Sequence, residues 1–139
     1  MPLRVRVVLG PVTDVQADVV ILHARHTFDD GHVIRVQAPR WQFPDGPDRL
    51  LAAAYREALS LANVHHARSL ALPAILARGP WPLEHATRVA LDVLSTTPTS
   101  VHHVWIAART PAMLERWAEA LVAWNPPDTW WMRPDKRWG

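Results

Sequence analysis

The apolar positions of this chain change period along its length. Leu3, Val5, Val7 and Leu9 alternate with Arg4 and Arg6, the period of two of a strand with one buried face. Gly10-Pro11 closes that strand, and Val12-Thr13-Asp14 reads as a turn. Ala17 to Leu22 is a nearly continuous apolar run, which fits a strand buried on both faces. A short polar segment, His23 to Gly31, leads to a third strand over Val33 to Val36, ended by Ala38-Pro39. Arg40 to Pro47 reads as a loop whose aromatics, Trp41 and Phe43, can fold back onto the sheet.

From Asp48, a candidate cap, the period lengthens. Leu51, Tyr55, Ala58 and Ala62 form a helical stripe, widened by Leu50, Ala54 and Leu61, that ends near Asn63. Arg68 to Leu72 is again strand-like, and Pro73 ends its ladder because proline has no N–H to donate. The spacing then predicts a helix from about Pro82 to Leu94 with Ala86, Val89, Ala90 and Val93 inward. A strand over Val101 to Ala107 follows a break at Thr97 to Ser100. Thr110-Pro111 opens a last helix with Leu114, Trp117, Ala118, Leu121 and Val122 inward, ending before Pro126.

Three strands followed by helix, strand, helix, strand, helix is the layout of an α/β sheet covered by helices on both faces. A chain of 139 residues, 49% hydrophobic, fits one core. Residues 1–124 carry that pattern. Residues 125–139 hold Trp130, Trp131 and Trp138 among prolines and form a tail packed on the domain or on a partner. The strand, tight loop and helix over Pro73 to Pro82 form the segment where ligands usually sit in such sheets, since helix N-termini present free N–H groups to anions.

Composition narrows the classes. With 15 Lys and Arg against 13 Asp and Glu and no basic run, nothing marks a nucleic-acid surface. No apolar run is long enough for a membrane span, and the lack of cysteine fits a reducing cytoplasm. No cofactor is implied.

The densest ionisable set is His23 to His32. Asp29 or Asp30 can act as a general base, with His26 or His32 as acid, because a carboxylate beside an imidazole moves protons near neutral pH. The commoner meaning of Asp29-Asp30-Gly31 is a hairpin turn. His65-His66 and His102-His103 do not form a metal set: neighbours on a strand point to opposite faces, and no carboxylate stands at ligand spacing. Glu84-His85 fits the first turn of a helix, where Glu suits the positive dipole end. Trp81 and Phe43 are either core aromatics or stacking platforms for a base or ribose.

Several stretches taken together resemble a macrodomain. They are Gly10-Pro11-Val12-Thr13, the run Asp18 to Ile21, His32-Val33-Ile34 with Pro39 and Trp41, and Leu51 to Leu61 with Tyr55. Arg68-Ser69-Leu70-Ala71-Leu72-Pro73-Ala74-Ile75 is the most specific, followed by Pro82-Leu83-Glu84-His85-Ala86. The resemblance covers roughly residues 3–124 and implies a three-layer α/β/α sandwich with a mixed central sheet. It also implies a module that binds ADP-ribose, and many members of the family remove ADP-ribose from proteins or hydrolyse its esters.

The departures fall on the family's functional positions. Pro11 stands where the family's Gly-Asp-Ile-Thr has the Asp that bonds adenine, and Leu22 and Arg25 stand where it has the asparagines of Asn-Ala-Ala-Asn. The family's glycine-rich loop shrinks to Thr27-Phe28-Asp29-Asp30-Gly31. Its second phosphate loop appears as Leu76-Ala77-Arg78-Gly79-Pro80-Trp81-Pro82, with one glycine left. Close approach of backbone to pyrophosphate relies on glycine, so Arg78 and Arg25 would supply guanidinium bonds instead.

Three functions follow as expectations. The first is a module binding ADP-ribose or a related nucleotide or phosphorylated ligand through Arg25, Ala74, Ile75, Arg78, Gly79, Pro80 and Trp81. The second is an ADP-ribosyl hydrolase with a rearranged site using Asp29 or Asp30. The third is a non-catalytic scaffold that contacts a protein partner, or a second copy, through the Trp-rich tail.

Overall fold

A computed structural model describes residues 3–39, 47–77 and 82–124 of the chain. Trp41, Phe43, Arg78, Gly79, Pro80, Trp81 and the tail 125–139 lie outside the described residues. The strands are β1 (Arg4–Leu9), β2 (Val19–Ala24), β3 (Phe28–Asp29), β4 (Val33–Gln37), β5 (Ser69–Pro73) and β6 (His103–Ala108). The helices are α1 (Pro47–Val64), α2 (Leu83–Thr96) and α3 (Pro111–Trp124), and a 3-10 turn lies at Val12–Asp14.

The sheet is mixed and six-stranded, in the order β1-β6-β5-β2-β4-β3. Five strands are parallel, and the two-residue β3 pairs antiparallel with β4, Phe28 opposite Arg35 and Asp29 opposite Ile34. The polar segment after β2 therefore contains a strand that its composition did not announce. Gly31, at φ +88, makes the hairpin turn possible, and the Asp30 N–H closes it on the Val33 carbonyl at 3.0 Å.

Helices lie on one face only among the described residues. β4 to β5 and β5 to β6 both step the same way across the sheet, and right-handed crossovers then put α1 and α2 on the same side. α1 packs on α2 and β4, α2 on α3, and α3 on β1 and β6. The β1-to-β2 connection steps the opposite way and crosses the other face, where the 3-10 turn lies against β2, β5 and β6. That layer is one turn and extended chain, sufficient to cover small side chains such as Ala71 and Ala107, both buried.

Between sheet and helices, Val19, Ile21, Ile34, Val36, Leu70, Leu72, Val104 and Ile106 meet Leu51, Tyr55, Ala58, Leu59, Ala62, Ala86, Ala90, Val93 and Trp117 in one core. The stripes of α1 and α2 are those the periodicity predicted, except that Leu50 is exposed. α3 is rotated from expectation. Met113, Trp117, Ala120, Leu121 and Trp124 face the core, whereas Ala118 is exposed and Val122 is 79% exposed. Trp117 is the one fully buried residue of α3. No helix among the described residues is long and apolar enough to cross a membrane.

Candidate functional site

The two ends of the parallel sheet carry different chemistry. At the carboxyl end, the chain leaves β2 into Arg25, β4 into Ala38 and Pro39, and β5 into Ala74 to Ala77, while α1 and α2 begin there with their unpaired N–H groups. Pro82 sits at the N-cap of α2 with φ −61, so the helix starts one residue later than its proline suggests. Asp48 is likewise not a cap. It lies in the first turn of α1, where its carboxylate meets Nε2 of His85 in the first turn of α2 and ties the two helix starts together. Glu84, beside it, reaches Arg116 of α3 at 3.4 Å, an exposed and therefore weak pair.

Ala74 and Leu76, at the start of the β5–α2 loop, are anchored from beneath. The Ala74 N–H donates to the Ala107 carbonyl at 3.0 Å, continuing the sheet past Pro73. The Ala74 carbonyl accepts the Trp117 indole N–H at 2.9 Å, and the Leu76 N–H donates to the Tyr55 hydroxyl at 3.2 Å. Tyr55 and Trp117 are fully buried, and burial pushes the Tyr55 phenol up, so it stays protonated at any working pH. Ile75 is half-buried and Arg25 exposed. Arg25, Ala74 and Ile75 thus share the carboxyl end.

Asp29 and Asp30 are at the amino end. The Asp29 carboxylate accepts the Gly31 N–H at 2.8 Å and meets Nε2 of His65 at 2.7 Å. The Gly31 N–H, and after it the His65 imidazole, hold the carboxyl below its ordinary value of 3.8. Close by in the fold, the Asp18 carboxylate accepts the N–H groups of Arg68 and Ser69 at 2.8 and 3.3 Å, and His32 Nδ1 lies 2.9 Å from the Asp18 carbonyl. These bonds join the start of β2 to the start of β5 and fasten the hairpin below. The structure does not bring Asp29 and Asp30 together with Arg25, Ala74 and Ile75.

The histidine pairs resolve differently. His65 and His66 are not on a strand but in the turn that ends α1. His66 is left-handed at φ 54, the His66 N–H bonds Asn63 and the Ala67 N–H bonds Ala62, both at 3.0 Å. This is the double-bonded helix stop that usually uses glycine. His103 opens β6. No three His, Asp or Glu side chains converge to hold a metal among the described residues. Tyr55 and Trp117 escaped notice as loop anchors because their periodicity marks them only as core. Their polar atoms were the available signal, since a buried phenol or indole needs a partner.

Comparison with known proteins agrees with this architecture. The Macro domain family model matches residues 13–90, more than half of the chain. A macro domain-containing protein of Streptomyces nogalater is 42% identical over 74 residues, covering 52% of this chain and 40% of that protein, so the match spans less than half of the relative. The Trypanosoma brucei macrodomain in complex with ADP-ribose superposes with TM-score 0.68 at 16% identity, over 85% of this chain and 69% of that one. The Oceanobacillus iheyensis macrodomain with ADP gives TM-score 0.58 at 27% identity, over 66% of this chain and 50% of that one. The matched stretch includes β2, the hairpin, α1, β5 with its anchored loop, and the start of α2, and on this ground the chain belongs to the macrodomain family.

Proposed function

We propose that this chain is a ligand-binding macrodomain that takes ADP-ribose, or a related nucleotide or phosphorylated ligand, at the carboxyl end of its parallel strands. The observation that carries the reading is the β5–α2 loop. It is held from below by two buried side chains and stands beside the start of α2, where backbone N–H groups and the helix dipole favour a phosphate. Solved macrodomains with ADP and with ADP-ribose support the choice of ligand class. Arg25, Ala74 and Ile75 belong to this proposal. Arg78, Gly79, Pro80 and Trp81 follow Ala77 directly in the chain and complete it on the sequence argument alone.

Hydrolysis at Asp29 or Asp30 gains no support from geometry, because both lie at the other end of the sheet. A working place in the cytoplasm fits the cysteine-free sequence and is checked by cell fractionation. Isothermal titration with ADP-ribose, AMP and inorganic phosphate tests the main reading. Micromolar binding selective for ADP-ribose is the expected outcome, and no heat at millimolar ligand would sink it.

A second reading, contact with another protein, is favoured by Phe28. It is 57% exposed on the face opposite the helices, with Leu22 and Val33 half-buried on the same side. Sedimentation of the wild type and of Phe28→Ser distinguishes it from a monomeric surface.

A further inference from the structure

Two large buried aromatics spend their only polar atoms on the same loop. Tyr55 comes from the middle of α1 and Trp117 from the middle of α3, far apart in sequence, yet their bonds land on Leu76 and Ala74. A buried tyrosine or tryptophan needs a partner, but any nearby carbonyl or amide would serve. Here both choose the segment immediately after β5. With the Ala74 N–H on Ala107 and the Leu76 N–H on Tyr55, alternate amides of the loop are fastened inward, and Leu76 is itself completely buried.

We propose that Tyr55 and Trp117 are positioning residues for the binding site: their bonds fix the Ala74–Ile75 and Ile75–Leu76 peptide planes, so that the Ile75 N–H, trans to the Ala74 carbonyl that Trp117 holds inward, is offered to a phosphoryl oxygen. The inference rests on the ligand reading above and adds the residues that hold the site in shape. The physical need is specific to this sequence. The loop carries Leu76 and Ala77 where a nest of backbone donors would use glycine or a hydroxyl, so it gains order from bonds below it rather than from its own side chains. Donors held in place before the ligand arrives bind it without the cost of ordering them.

The test titrates ADP-ribose and inorganic pyrophosphate into the wild type, Tyr55→Phe and Trp117→Phe, with Leu59→Ala as the control. Leu59 is a buried residue of the same α1 helix with no polar side-chain atom to bond the loop, and its truncation is expected to lower the melting temperature. The expected result is binding of both ligands weakened roughly tenfold or more in Tyr55→Phe and in Trp117→Phe, and unchanged in Leu59→Ala. Equal affinity in all four proteins overturns the inference while leaving the ligand reading standing. Pyrophosphate binding that Tyr55→Phe weakens, without preference for ADP-ribose, supports the inference and rejects the nucleotide. If the wild type binds neither, both fail.

Amide hydrogen exchange on the wild type keeps the inference testable should a variant not fold. Leu76 is expected to exchange slowly, and Ile75 quickly until pyrophosphate is added. A Leu76 amide as fast as its neighbours, or no added protection at Ile75, overturns the inference.

Discussion

Nε2 of His65 lies 2.7 Å from Oδ2 of Asp29, so the carboxylate that resembled a general base is a strut between the β3–β4 hairpin and the turn before β5. Its second bond, from the Gly31 N–H, completes the turn. Both favour the ionised carboxylate, which lowers its pKa in the folded protein.

A depressed carboxyl stabilises the fold above the unfolded value and loses that contribution as pH falls through the folded one. Asp29→Asn is therefore expected to melt below the wild type near neutral pH, with the difference shrinking as pH drops below 3.8. Thermal melts between pH 7 and pH 2.5 check this. A gap that grows in acid would contradict the assignment.

Asp29→Asn and Asp30→Asn are expected to leave ADP-ribose affinity within about twofold of the wild type, because both lie at the amino end of the sheet. Arg25→Ala, at the carboxyl end, is expected to weaken it about three- to tenfold and to flatten its salt dependence. Calorimetry at two salt concentrations separates the two ends.

His66 adopts φ 54, a conformation that costs a non-glycine residue about 1 kcal/mol. His66→Gly is expected to raise stability by about 0.5–1 kcal/mol, or roughly 2–4 °C in Tm for a domain of this size. The side chain is exposed, so no packing is lost. Scanning calorimetry reads the gain, and a fall in Tm would show that the imidazole contributes something the turn geometry does not.

Periodicity assigned Trp117 and Val122 to one inward stripe, but Trp117 is fully buried and Val122 is 79% exposed. Trp117→Ala is expected to cost about 3–5 kcal/mol and Val122→Lys less than about 0.5 kcal/mol. Urea unfolding of the two variants measures the rotation of α3 directly.

Patterning along the chain was enough to place five of the six strands and all three helices, because burial imposes a period of two or of 3.6 whatever the neighbours are. β3 was not legible that way. Phe28-Asp29 is an exposed two-residue edge, held by pairing with Ile34 and Arg35 rather than by burying a face of its own. The stop of α1 at His66 was hidden for a related reason. A left-handed residue is announced by glycine, and here two backbone hydrogen bonds impose it on histidine.

The sequence by itself determined the order of elements, the family to which they belong and the candidate loop after Pro73, since these depend on local pattern and on proline. Only the tertiary structure decided which candidates lie at the same end of the sheet. A parallel strand sends its two ends to opposite sides of the domain, so Arg25 and Asp29, four positions apart, are separated, while Tyr55 meets Leu76 and Trp117 meets Ala74. Proximity of that kind is set by strand order and crossover direction, which are global properties of the packed chain.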